Sequence, residues 1–470
     1  MNTKKTMIFK NSLIALAALF LLVNLMKAQT VSEQYISNWS DPEVQERIET
    51  GIEMNRKDWA NIKFVNEDGK ATQWDGTIQI KQTTHDFLFG ANIFILDGYE
   101  VDEKNETYKN VFKNLLNYAT VPFYWKSLEP EQGNVRFSKS SKHIYRRPAS
   151  DICVEFCKNN NITMKGHPIM WDHHIYGIPS WLPLEEDSRE YYMEKRIQEI
   201  GERYRDDITH WDVVNEINHR KAHADPYSPK YVPIPDNYPI KIFKMAEKYF
   251  RSYNEFTYNF TSAIWSNYAE EYGLEYILSE NLILKGAKVD VIGFQCHMWG
   301  KSQWNSILQG EHMTPQHMLK FLDLFSQFNL PLQITEITFP TLPEGEAGEK
   351  NQARITRDWY RLWFSHPKVK AISWWNVSDG TAAGGEDQWR GGFLRKDMSP
   401  KPSYKVLDEL INHDWNTQIT ETIDNQSSYK FKGFYGEYEI ILSKDGEELK
   451  RANIHIEEGS YNDFQFSIPD

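Results

Sequence analysis

A chain of 470 residues is long enough for one large domain and a smaller module. Its 40% hydrophobic and 25% charged content is that of a packed globular protein, and its net charge of −13 disfavours nucleic acid and strongly anionic polymers as partners. The aromatic share of 14% serves either a large core or a cleft with flat apolar faces suited to sugar rings, and composition does not separate the two.

Residues 1–28 read as an export signal. Lys4, Lys5 and Lys10 precede the apolar run 13–25, and Lys27-Ala28-Gln29 offers a small residue for cleavage. The run is short for a spanning helix and no Cys follows it, so the expectation is a secreted or periplasmic protein with no membrane anchor. Removal of this segment takes away four Lys and no acid, and the formal charge becomes about −17. Next comes an N-terminal flank, 29–86, in which 58–84 alternates like β-structure around a turn at Glu67-Asp68-Gly69. From 87 to 412, short apolar runs alternate with amphipathic stretches, the pattern of a (β/α)8 TIM barrel in the α/β class. Strands are expected at 87–91, 118–121, 163–166, 210–214, 289–294, 332–335 and 371–375, with an eighth near 256–259. Helices are expected at 242–253 and 353–364 among others. Residues 413–470 alternate again from 428 onward, with turns at Lys444-Asp445-Gly446 and near Gly459. Neither flank buries much alone, so the two are expected to pair as a small β-sandwich. Cys153, Cys157 and Cys296 lie in helical or strand-like apolar patterns and read as buried free thiols.

Two of these strands end in acids. Trp211-Asp212-Val213-Val214-Asn215-Glu216 and Gln333-Ile334-Thr335-Glu336-Ile337 each set a carboxylate where an apolar strand stops. In a TIM barrel the C-terminal strand ends face the active site. Two carboxyl groups there meet the needs of glycoside hydrolysis, one protonating the leaving oxygen and one attacking the anomeric carbon or activating water. Either acid alone would read as a strand cap or a surface ion-pair partner.

These motifs, in their order, resemble glycoside hydrolase family 10, best known for endo-1,4-β-xylanases. Phe89-Gly90-Ala91 is similar to the family's first strand, and Gly166-His167-Pro168-Ile169-Met170-Trp171 to its Gly-His-Thr-Leu-Val-Trp segment. Ile292-Gly293-Phe294-Gln295-Cys296-His297 resembles its Gly-Gln-x-His strand. Trp375-Asn376-Val377-Ser378-Asp379 and Lys401-Pro402-Ser403-Tyr404 resemble its closing motifs. The resemblance spans roughly 87–410. It implies a retaining hydrolase with Glu216 as acid/base and Glu336 as nucleophile. It also implies that Asn215 binds the sugar 2-hydroxyl, His297 holds Glu336, Gln295 lines the same pocket, His167 contacts a hydroxyl, and Trp171 and Trp375 form apolar walls. Taken singly, His167 and the two Trp read equally as core residues.

The departures fall in the second strand, where the family's Glu-Asn-x-x-Lys-Trp is replaced by Thr120-Val121-Pro122-Phe123-Tyr124-Trp125. Tyr124 is the expected replacement for the missing polar contacts. Gly380 to Gly385 stand where Ser-Trp is usual, and Thr338 stands where an Asp is usual. Asp172-His173-His174 beside His167 lacks a wider ligand pattern and is expected to border the cleft rather than bind metal. The expected protein is thus a cofactor-free monomer acting on internal β-1,4 linkages of a plant-type polysaccharide, xylan first. The alternatives are the same chemistry on another β-linked glycan or at chain ends, and a non-catalytic carbohydrate-binding protein on this scaffold.

Overall fold

The computed structural model describes residues 31–183, 185–218, 237–266 and 269–468; the expected export signal and its cleavage point lie outside them. Eight parallel strands close a barrel: β3 (Leu88–Asn92), β4 (Tyr118–Pro122), β5 (Thr163–His167), β6 (His210–Asn215), β7 (Glu255–Phe260), β8 (Val291–His297), β9 (Leu332–Thr338) and β10 (Val369–Trp374). The ring runs in chain order, with β10 pairing β3 to close it. Nearly every strand residue is buried, because helices cover one face and interior side chains fill the other. The interior tolerates no excess volume. A Cβ on Gly293 would approach the Cγ2 atoms of Thr335 and Thr257 to 2.7 and 2.8 Å.

The eighth strand, expected near 256–259, is β7. Three other expectations need shifting. β8 runs on to His297, so Gln295 and His297 project from the strand itself, while β10 ends at Trp374 and leaves Trp375 on the following loop. The helix expected at 242–253 spans Tyr238–Tyr249, because Pro239 presets its first turn and Asn254 accepts from the Arg251 N–H in a turn beyond it.

Both flanks together build two β-sheets. β1 (Lys57–Val65) lies between β12 (Ser428–Phe434) and β15 (Asp463–Ser467). β2 (Trp74–Gln82) lies between β11 (Gln418–Gln426) and β13 (Gly436–Lys444), and β13 pairs onward with β14 (Glu447–Ile456). Their shared core includes Ile62, Phe64, Ile78, Ile80, Ile440 and Leu442. Alternation along β2 and β13 points one set of side chains inward. β11 was not expected, since its outward face is almost wholly polar and exposed. Two helices also precede β1, Glu33–Trp39 and Pro42–Asn55, the second capped by Asp41 ahead of Pro42.

This sandwich abuts the barrel at the N-terminal strand ends. The buried Arg56 guanidinium donates to the carbonyls of Phe364, His366 and Val369, the last being the first residue of β10. Phe364 stacks on Trp415 at 4.0 Å and lies near Phe434 of β12. The opposite, C-terminal rim is left open for the site.

Candidate active site

The acid pair is organised from β6, β7, β8 and β9. Glu336 sits within β9 and is only 3% exposed, while Glu216 follows β6 with a left-handed φ of 59° that turns the chain at the strand end. The amide nitrogen of Gln295 donates to Oε1 of Glu216 at 3.0 Å and to Oε1 of Glu336 at 3.1 Å. Those two oxygens therefore lie no more than about 6 Å apart. Behind them, the Asn259 amide donates to Asn215 Oδ1 at 2.8 Å and to Glu336 Oε1 at 3.0 Å. The Thr335 hydroxyl donates to Asn259 Oδ1 at 2.7 Å, which fixes the orientation of that amide.

Two histidines complete the polar floor. His297 Nε2 is 3.1 Å from Glu336 Oε2, and its Nδ1 is 2.9 Å from the Thr338 hydroxyl. An ionised Glu336 can only accept, so Nε2 carries the proton and Nδ1 accepts from Thr338. Here the departure from Asp to Thr at 338 has a physical content: a hydroxyl can donate to the ring, whereas a carboxylate would demand a second ring proton. His167 Nδ1 lies 2.7 Å from Asp212, which also pairs with Lys165 at 3.1 Å, and its Nε2 meets the Tyr124 hydroxyl at 3.0 Å.

The two acids are pushed apart. Burial, followed by the charge of Glu336, raises the Glu216 pKa to about 8. Burial would raise Glu336 too, but the His297 hydrogen bond and the electrostatic pull of the His167, His297 and Lys165 side chains outweigh it and hold the carboxyl below its ordinary value. Between the two values one acid is protonated and its neighbour ionised.

The cleft encloses about 210 Å³ over this floor. Of the residues singled out in the sequence, Tyr124, His167, Trp171, Glu216, His297, Glu336 and Trp375 line it. Asn215 and Gln295 stand beneath the carboxylates, which they hold through the hydrogen bonds above. Phe94, Tyr124 and Trp375 pack edge to face as one wall. His173 borders the cleft and is stacked with Tyr176; among the described residues no group of His, Cys, Asp and Glu side chains is placed to hold a metal ion. Sequence reasoning missed Arg146, Arg147, Tyr176, Trp299 and Glu386 in the lining, and Asn259 in the floor. Trp299 stacks on His297 at 4.1 Å.

A model of glycosyl hydrolase family 10 matches residues 84–410. The chain belongs to this family. Relatives in it include endo-1,4-beta-xylanase B of Thermotoga neapolitana, 25% identical over 327 residues, or 65% of this chain and 84% of that protein. Anti-sigma-I factor RsgI6 of Acetivibrio thermocellus is 25% identical over 411 residues, and the chain spans 47% of its length. Among solved structures, xylanase 10B of Thermotoga petrophila in complex with xylobiose superposes with a TM-score of 0.56 at 22% identity, covering 70% of this chain and 95% of that one. This last likeness concerns the family's barrel fold. It leaves part of the present chain uncovered.

Proposed function

We propose that the protein is a retaining glycoside hydrolase that cleaves internal β-1,4 linkages of xylan by double displacement. The carrying observation is the single Gln295 nitrogen shared by both carboxyl groups. Facing oxygens no more than about 6 Å apart fit the ~5–5.5 Å carboxyl spacing of retaining enzymes better than the ~6.5–9.5 Å that an inverting enzyme needs for a water between its acids. Glu336 attacks the anomeric carbon while Glu216 gives its proton to the departing glycosidic oxygen, and a glycosyl ester forms on Glu336. Loss of the Glu336 charge then lowers the proton affinity of Glu216, which takes a proton from water as that water attacks the ester. Asn215 is placed for the 2-hydroxyl, His297 and Gln295 hold Glu336, and His167, Tyr124, Trp171 and Trp375 bind the sugar.

The presence of both acids, poised at different pKa values, supports an enzyme over a carbohydrate-binding protein. An export signal at 1–28, as expected from the sequence, would put the substrate outside the cytoplasm; among the described residues no helix is long and apolar enough to cross a membrane. The sandwich, joined to the barrel far from the rim, braces the barrel. The test is a reducing-end assay on xylans, β-glucans, mannans and galactans with product sizes resolved. Mixed short xylo-oligosaccharides are expected. Inert xylan with another glycan cleaved would overturn the substrate, and a folded Glu336→Ala protein as fast as wild type would overturn the mechanism.

A further inference from the structure

The loop between β4 and the helix Ser150–Asn159 delivers two guanidinium groups to the cleft, Arg146 and Arg147. It is held firmly. Arg136 donates to the carbonyls of Ser127, Lys142 and Arg147, and Arg146 Nη1 donates to Asn376 Oδ1 at 2.8 Å and to the Thr381 carbonyl, tying the loop to the segment after β10. Arg147 lies over the aromatic wall, its Cζ 3.8 Å from the Tyr124 ring centre and 5.0 Å from that of Phe94. Stacking of this kind fixes the plane of the group and leaves its edge for a ligand.

Among the described residues nothing occupies that edge. A guanidinium has five N–H donors, and among the described residues the Arg147 side chain donates only from Nη1, to the Arg146 carbonyl. Neither arginine makes an ion pair among those residues, and the buried Arg146 Nε has no protein acceptor. Glu386 also lines the cleft, and among the described residues its carboxylate bears on Arg147. Among the described residues, two guanidinium groups beside the Glu386 carboxylate leave this end of the cleft positive, although the chain as a whole carries −13. A neutral pentose backbone supplies no partner for such a charge.

The position of the charge follows from the acid pair. Glu216, after β6, faces the leaving group. Tyr124, Phe94 and Trp375 follow β4, β3 and β10 on the other part of the rim, so the arginines face the sugars that stay on Glu336. We propose that Arg147, seconded by Arg146, recognises the carboxylate of a uronic acid carried by the glycone half of the substrate. A carboxylate pairs in two parallel hydrogen bonds with the guanidinium edge, a match that neutral sugars lack. This proposal rests on the glycosidase reading above and names the decoration that its substrate carries.

The test compares glucuronosyl xylo-oligosaccharides with the same compounds after reduction of the carboxyl group to an alcohol, which changes the ligand and leaves the protein untouched. Wild type is expected to prefer the acid in kcat/KM by about tenfold or more, the range of a charge-assisted pair. Arg147→Gln should reduce that preference to near unity, and Arg147→Lys should restore part of it. Equal kcat/KM values for acid and alcohol in wild type would overturn the proposal, with Arg147 then serving only to stiffen the loop. So would an undiminished preference in Arg147→Gln. If no xylo-oligosaccharide is cleaved, the backbone assignment fails instead. Binding of methyl glucuronoside and methyl glucoside to wild type and Arg147→Gln, read by calorimetry, then decides the carboxylate question: a preference for the glucuronoside that the variant loses supports it, and equal binding overturns it.

Discussion

Glu336→Gln keeps the shape of the acid pair and removes one charge, so it isolates what that charge does to Glu216. With the facing oxygens no more than about 6 Å apart and an effective dielectric constant of about 20, the interaction is about 3 kcal/mol, or about two pH units of proton affinity. Burial is the larger cause of the raised Glu216 value of about 8 and survives the substitution. The Glu216 midpoint should therefore fall by about one to two pH units and stay above that of an ordinary glutamate. Carbon-13 NMR titration of carboxyl-labelled protein, with Glu216→Gln for assignment, measures it. An unmoved midpoint would show that the two acids are not coupled, and a fall to the ordinary value would show that burial contributes nothing. Either result would refute the reasoning that lets one group act first as acid and then as base.

The pH dependence of kcat/KM should be a bell. Its acid limb should lie below the ordinary glutamate value, because Glu336 must be ionised, and its alkaline limb near 8, where Glu216 loses its proton; an alkaline limb near 5 would contradict the assignment. Tyr124→Phe removes the hydroxyl that meets His167 and should cost about 1 kcal/mol, or roughly fivefold in kcat/KM on soluble oligosaccharides. Full activity would mean that this hydrogen bond does not position His167. Arg56→Met strips donors from three carbonyls at the junction of sandwich and barrel. It should lower stability to urea by at least about 3 kcal/mol while leaving kcat of the folded protein intact. An unchanged urea midpoint would remove the case that the sandwich braces the barrel.

The barrel was legible because strands buried on both faces must be apolar at consecutive positions, as in Trp211-Asp212-Val213-Val214 and Val291-Ile292-Gly293-Phe294. Glu216 and Glu336 stood out for the converse reason, since a carboxylate that ends such a run has no packing role. Arg146 and Arg147 left no comparable trace. They lie on a long connection whose course is set by Arg136 and Asn376 in the folded chain, not by any local period. Asn259 was hidden within a strand whose polar residues face the barrel interior, where Thr257 and Thr335 are equally buried. The helix Pro42–Asn55 could have been found from its Asp41-Pro42 start, but its first and last turns are mostly polar and its apolar face is narrow. β11 reads as loop because only Ile423 along it is fully buried.

The central claim is that Glu336 forms a covalent ester with the sugar and that the configuration at the anomeric carbon is kept. Proton NMR during hydrolysis of a soluble xylo-oligosaccharide tests it most directly, by reading which anomer appears first. The β-anomer is expected at early times, with the α-anomer following only as mutarotation proceeds. An α-anomer formed first would mean that water attacks directly, and the close pairing of Glu216 and Glu336 would need another explanation.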